Sequence, residues 1–183
     1  MKQHLLGTLK VTIGLVLIVV LITGGIELFS STQNRGAEQL HDFVTVANMF
    51  HGKIEGSALL EDFDTLLQLI LDETPEDTTE INTLIINRSL SARGYTEQFN
   101  WLYPPTTEAL EILGSLIREG RLIQSCYSRL YLAWSAKQSG DELSYVQYCE
   151  EARELFEKAI SLRTQNKVDM DNLKLQAEHD LAQ

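Results

Sequence analysis

The sequence contains few cysteines and none of the short patterns by which catalytic and metal sites are commonly recognised. Its two cysteines, Cys126 and Cys149, exclude a disulfide-rich scaffold. It has no Cys-x-x-Cys, Gly-x-Ser-x-Gly or His-Glu-x-x-His pattern and no glycine-rich phosphate loop. We therefore predict no catalytic residue, no bound metal and no organic cofactor.

Basic residues are also scarce. The chain has 15 Lys and Arg against 26 Asp and Glu, a net charge of −11. When residues 1–30 are left out, 13 basic and 25 acidic residues remain. Such a charge repels nucleic acid and anionic lipid headgroups, so we predict neither as a partner.

What the sequence does contain is a long apolar run near its start. Residues 11–26 carry no charge, and the wider segment 5–29 is interrupted only by Lys10 and Glu27. About 20 apolar residues in a helix cross a hydrocarbon core about 30 Å thick. We therefore predict that residues 1–30 form a transmembrane anchor that contacts the lipid bilayer through residues 5–29.

The alternative for this segment is a cleaved secretory signal. Lys2 and His4 supply a short basic start, and Thr23-Gly24-Gly25 supplies small residues for cleavage. A retained anchor is the preferred interpretation. Because basic residues are kept on the cytoplasmic side, Lys2 and Lys10 predict a single-pass protein of the cell membrane with a cytoplasmic N-terminus and an extracytoplasmic C-terminal domain.

The remaining residues, 31–183, have the apolar spacing of α-helices almost throughout. Apolar side chains recur every three or four residues, which places them on one stripe of each helix. Thr83–Ile86 is placed in a helix but is also compatible with a strand. We predict an all-α protein in which one N-terminal transmembrane helix is followed by an antiparallel bundle of four to five helices. The predicted core contains Phe43, Phe50, Phe63, Leu67, Tyr127, Leu130, Phe156 and Ala159.

Three features predict where the helices are interrupted. Residues 92–106 contain Pro104-Pro105 and are predicted to be a loop, with Thr106 or Thr107 capping the next helix. Ser139-Gly140-Asp141 is predicted to be a tight turn. In the last apolar stripe Arg163 and Asn166 replace apolar residues, so residues 165–183 are expected to form a separate helix or a protruding end.

Several residue patterns suggest sites but are better explained otherwise. Glu38-Gln-Leu-His41 is the only Glu-x-x-His, whereas carboxylate-bridged di-metal bundles use two, so a surface pair is preferred. The acidic residues 72–80 suit a helix start better than a calcium loop. Cys126 and Cys149 are interpreted as two small core residues. Asn87-Arg88-Ser89 matches the acceptor pattern for N-glycosylation.

The predicted partner interface has two parts. Small residues of the predicted span, Gly14, Gly24 and Gly25, would allow close packing with other membrane helices. Outside the span, aromatic side chains are concentrated beside Pro104-Pro105, where they could form a docking surface or cover the bundle. These aromatic residues are Tyr95, Phe99, Trp101 and Tyr103.

The leading functional hypothesis is a non-catalytic, single-pass accessory or scaffold subunit of a membrane protein complex. Its partners would be integral-membrane subunits bound through the span and the extracytoplasmic domain, and a homo-oligomer is compatible with this hypothesis. The alternative is an extracytoplasmic four-helix sensory or ligand-binding domain that acts through a partner. Because no second apolar run leads back through the membrane, the sensory alternative ranks second.

Overall fold

The computed structural model describes residues 35–54, 58–72 and 78–182. These residues form five α-helices, and none of them forms a strand. The helices are α1 (residues 35–54), α2 (Ala58–Leu71), α3 (Thr78–Phe99), α4 (Thr107–Ser139) and α5 (Glu142–Leu181). The prediction of an all-α bundle is thus confirmed for the described part of the chain, including Thr83–Ile86, which is helical.

The predicted membrane span, residues 5–29, lies outside the described residues, and so do Gly14, Gly24 and Gly25. Among the helices formed by residues 35–54, 58–72 and 78–182, none is both long enough and apolar enough to cross a membrane. The anchor therefore stays a prediction of the sequence.

Helices α1 and α2 follow one another along the central helix α4. His51, near the end of α1, contacts Glu119 of α4. Farther along, the Tyr127 hydroxyl donates to the Leu59 carbonyl of α2, and the Lys137 ammonium donates to the Ile70 carbonyl at 2.6 Å. Because residue numbers rise together in α1, α2 and α4, these helices run in the same direction.

Helices α3 and α5 run in the opposite direction. Thr96 of α3 lies against Gly120 of α4, whereas Ile85, earlier in α3, lines a groove with Tyr127, farther along α4. Helix α5 folds back along α4 through the turn at residues 140–141. The cross-section is therefore a four-helix antiparallel bundle in which α1 and α2 together occupy one position.

The turns between the long helices have the predicted chemistry. The Thr106 hydroxyl accepts a hydrogen bond from the Ala109 amide at 3.1 Å and caps α4. Gly140 ends α4 with φ of 76°, a left-handed conformation that glycine adopts without steric cost. Asp141 then caps α5 by accepting from the Ser144 amide at 3.1 Å.

The predicted core is confirmed. Six of its eight residues are buried, and the other two, Phe50 and Phe156, are partly buried and packed against the core. Phe156 stacks on Phe63 with ring centroids 4.0 Å apart, and Tyr127 meets Phe63 edge-on at 6.3 Å. Aromatic contacts therefore join α2 to both α4 and α5.

Two predicted boundaries differ from the structure. Residues 92–99 belong to α3 and not to a loop, because Ala92, Tyr95 and Phe99 continue its buried stripe. Residues 165–181 belong to the continuous helix α5 and are neither separate nor unpacked. Met170, Leu173 and Ala177 of this part are buried, so its apolar face continues past Arg163 and Asn166.

Gly120 marks a close approach of α3 to α4. A Cβ atom at this position would lie 3.2 Å from Thr96 Cβ and closer still to the Thr96 hydroxyl oxygen. We expect Gly120→Ala to lower the free energy of unfolding by about 1–3 kcal/mol through overpacking. Gly114→Ala, in the same helix but with nothing within 4 Å, is the matched control and should raise it by about 0.5–1 kcal/mol. Equal shifts in urea unfolding midpoints would contradict this close approach.

Candidate functional site

Four polar side chains meet inside the apolar bundle where α1, α4 and α5 come together. We call His51, Glu119, Arg163 and Asn166 the polar cluster. All four residues are buried, and Glu119 and Asn166 are fully shielded from solvent. Charged side chains are rarely buried to this degree unless they are paired, so their contacts determine whether the arrangement is stable.

The contacts of the polar cluster converge on the Glu119 carboxylate. Arg163 Nη1 donates to Glu119 Oε1 at 2.9 Å, and Asn166 Nδ2 donates to Glu119 Oε2 at 2.8 Å. His51 Nε2 lies 3.1 Å from Glu119 Oε2 and 3.2 Å from Arg163 Nη1. One ring nitrogen either donates or accepts a hydrogen bond, so only one of these two contacts is a hydrogen bond in a given protonation state.

Arg163 also secures the end of α1. Its Nη2 donates to the His51 backbone carbonyl at 3.1 Å. Carbonyls in the last turn of a helix have no partner within the helix, and a cation is favourable there. Lys137 has the same role at the end of α2, where it contacts the Ile70 and Asp72 carbonyls. Side chains of the α4–α5 hairpin thus bind the C-terminal ends of α1 and α2.

The partners of Glu119 keep its carboxylate ionised. Burial by itself would raise the pKa of Glu119, but the hydrogen bonds from His51 and Asn166 and the charge of Arg163 lower the pKa below the ordinary value of a glutamate. Tyr95 lies beside the cluster, where burial and the charge of Glu119 raise the pKa of its phenol. The cluster therefore contains a charged pair in a solvent-free environment.

The sequence places these residues through ordinary helical spacing. His51 stands four residues after Ala47 and three before Ile54, both buried. Glu119 stands three residues after Leu116 and four before Ile123, and Arg163 follows Ala159 by four. Each polar residue thus occupies a position of an apolar stripe. A polar residue in an apolar stripe is the signal in the sequence, and at Arg163 and Asn166 the same signal predicts the end of packing, which the structure does not show.

The polar cluster is closed to solvent. Glu119 has no solvent-exposed surface, and its oxygens are engaged by neighbouring side chains. Within the described ranges, no three His, Cys, Asp or Glu side chains converge as metal ligands. What this arrangement can do is fix the register of α1 against the hairpin.

The aromatic part of the predicted interface divides into two pairs. Tyr95 and Phe99 lie in α3 and are buried, so their rings belong to the core and not to a free surface. Their centroids are 4.9 Å apart, and Phe50 of α1 contacts Phe99 at 6.1 Å. Trp101 and Tyr103 lie beyond the end of α3 and are 79% and 90% exposed. Only this second pair is available to a partner.

Trp101 and Tyr103 stand on a well-defined segment, residues 100–106, which we call the aromatic loop. Amides of Trp101 and Leu102 donate to carbonyls in the last turn of α3, at 3.3 and 3.1 Å. Pro104-Pro105 restricts the backbone, and Thr106 begins the next helix. Together with Gln39, Asp42, Phe43 and Val46 of α1, the aromatic loop lines a groove of about 400 Å³.

The other residues that the sequence suggested as candidates do not form a site in the described part of the chain. Glu38 is exposed and His41 partly exposed on α1. Cys126 and Cys149 are buried free thiols, and Cys126 donates to the Leu122 carbonyl at 3.0 Å. Burial raises the pKa of Cys126 to about 12, so the thiol is neutral at physiological pH.

Comparison of the chain with known protein families, with characterised proteins and with solved structures gives no match. The polar cluster and the aromatic loop are therefore the features from which a function can be inferred.

Proposed function

We propose that this chain is a non-catalytic, single-pass accessory or scaffold subunit of a membrane protein complex. Residues 5–29 span the membrane, and the helical domain stands on the extracytoplasmic side. Integral-membrane partners bind through the span and through the domain. The proposal is supported by the apolar run in the sequence and by the way α1 is built into the bundle.

The integration of α1 is the observation that carries the proposal. Phe29, at the end of the predicted span, is six Cα–Cα steps from residue 35 of α1, which reach at most about 20 Å. Helix α1 is in turn bound to α4 and α5 through the polar cluster. A partner that holds the span in the membrane therefore keeps the whole domain within about 20 Å of that end of the span, as a scaffold requires.

The test is partner retention by a span variant. We expect Gly14→Leu combined with Gly24→Leu and Gly25→Leu to remain in carbonate-washed membranes but to lose co-purifying integral-membrane proteins, because bulky side chains block close helix packing. Val19→Leu with Val20→Leu is the matched control and should keep them. Release of the native chain by carbonate would refute the anchor, and unchanged partners in the glycine variant would refute binding through the span.

A groove on the α4–α5 hairpin favours a second candidate, an extracytoplasmic ligand-binding domain that acts through a partner. The groove has a volume of about 560 Å³ and is lined by polar side chains that include Glu111, Arg118, Gln165 and Asp169. Volumes of this size suit small molecules. A small molecule that raises the melting temperature of the native chain but not of Arg118→Leu would favour this candidate.

A further inference from the structure

The aromatic loop lies at the end of the bundle where the chain arrives from the predicted span. Its groove partners on α1, Gln39 to Val46, lie four to eleven residues past residue 35, or about 6 to 17 Å along the helix axis. Helix α4 begins at this end, and α5 finishes there, since Glu108 of α4 and Gln176 of α5 line the groove between these two helices. The aromatic loop therefore belongs to the membrane-facing end of the domain.

Exposed apolar side chains are concentrated at the same end. In the part of the chain that the structure describes, four of the six most exposed large apolar side chains lie there. These four are Trp101, Tyr103, Leu110 and Leu175. Large exposed apolar surfaces mark contacts with other proteins or with membranes, so this end is expected to be covered.

We propose that Trp101 and Tyr103 insert into the headgroup layer of the bilayer that holds the predicted span. The inference rests on the proposed function, since it requires the anchor. It adds that the exposed aromatic pair contacts the lipid interface. Tryptophan and tyrosine are enriched at this depth because each ring is apolar but carries one polar group for the water side. The aromatic loop presents both rings on a restricted backbone, which lowers the entropy lost on insertion.

The length of the connection sets the condition for this contact. A fully extended link of about 20 Å would hold the aromatic loop well outside the headgroup layer, which is only about 5–8 Å thick on each side. Insertion therefore requires the domain to lie close against the bilayer surface. That is the arrangement we infer.

Charge at this end selects the lipid. Asp42 lines the groove of the aromatic loop, and Glu108 and Glu111 are exposed at the start of α4. Carboxylates near the surface repel anionic headgroups, so these three residues favour a zwitterionic lipid, although Arg35 and Lys174 are exposed at the same end. Phosphatidylcholine is the probe that matches this chemistry.

The two tryptophans of the chain provide the experiment. Trp134 is 2% exposed and lies 27 residues past the start of α4, about 40 Å from the aromatic loop, so it serves as an internal reference. The full chain is reconstituted in nanodiscs of phosphatidylcholine, either unmodified or brominated on the acyl chain near the headgroup. We expect bromine to quench the native emission and to leave the emission of Trp101→Phe unchanged, because only Trp134 remains in that variant.

The outcomes separate this inference from the proposed function. If the chain enters the discs but bromine quenches neither protein, the lipid contact is wrong while the anchor stands. If Trp101 emission shifts to shorter wavelength only when a membrane protein is added, without quenching by bromine, the aromatic pair binds protein and the inference is again overturned. If the chain does not enter the discs, the anchor and the inference both fail.

Discussion

Replacing Arg163 with methionine should lower the free energy of unfolding by about 3–5 kcal/mol, because it leaves the Glu119 carboxylate buried without its cation. Glu119 has no exposed surface, and burial by itself raises its pKa, so without Arg163 the carboxylate must either stay charged in the interior or bind a proton, and both cost stability. The His51 carbonyl at the end of α1 also loses its donor. Urea unfolding of the native chain and Arg163→Met, followed by circular dichroism, measures the difference.

A second arginine on the same pair of helices is the matched control. Arg129 of α4 pairs with Glu151 of α5 at 2.9 Å, but both side chains are partly exposed. Arg129→Met should therefore cost about 1 kcal/mol or less. Adding Glu119→Leu to Arg163→Met should restore part of the lost stability, because it removes the uncompensated charge. Equal losses for Arg163→Met and Arg129→Met would show that the polar cluster is not desolvated.

The helices and their turns are predictable from the sequence because local chemistry determines them. Gly140 is preceded and followed by strongly helical patterns, and it adopts the left-handed conformation that a glycine makes available. Thr106 follows two prolines, and its hydroxyl caps α4 by accepting a hydrogen bond from the Ala109 amide. The core residues Phe43, Phe63 and Tyr127 are predictable for the same reason, since helical spacing places them on one face.

The end of α3 was mispredicted because two local signals compete there. Aromatic residues followed by Pro104-Pro105 are typical of an irregular segment, yet the prolines act only on the residues next to them. Tyr95 and Phe99 continue the stripe that Ala92 begins, and tertiary burial keeps this segment helical. The aromatic part of the predicted interface therefore contains two buried rings, Tyr95 and Phe99, and two exposed ones, Trp101 and Tyr103.

The polar cluster could not be predicted because it depends on contacts between distant parts of the chain. His51 and Arg163 are 112 residues apart in sequence, and Glu119 lies between them. Each residue alone resembles an interruption of an apolar stripe. Only the packing of α1 against the α4–α5 hairpin shows that the three interruptions lie at one level and neutralise one another.

The polar cluster and the aromatic loop have complementary places in the proposed scaffold. The cluster binds α1 to the hairpin in the interior, so the helix next to the predicted span is not an isolated stalk. The aromatic loop lies on the outside of α1, nearer to residue 35 than the polar cluster is. A force applied at the membrane would thus reach α4 and α5 through buried contacts and not through the connecting turns alone.

Replacing Phe63 with alanine should lower the free energy of unfolding by about 3–5 kcal/mol, as expected for a buried phenylalanine whose cavity the neighbours cannot fill. Phe63 has no exposed surface and joins three helices, since it stacks on Phe156 and meets Tyr127 edge-on. Thermal and urea unfolding of the full chain would measure the loss. Phe63→Leu should lose less, because a leucine fills most of the same volume.

A leucine on the outer face of the same helix tests whether α2 packs in the observed orientation. Leu69 is 37% exposed, whereas Leu66, three residues earlier, is fully buried. Leu69→Ala should change the free energy of unfolding by about 0.5 kcal/mol or less, and Leu66→Ala by about 2–5 kcal/mol. If Phe63→Ala cost no more than Leu69→Ala, α2 would not be part of the bundle, and the stacking of Phe63 on Phe156 would be wrong. A large loss at Phe63 and Leu66 with none at Leu69 would instead establish that α2 packs in the bundle with Phe63 and Leu66 facing inward.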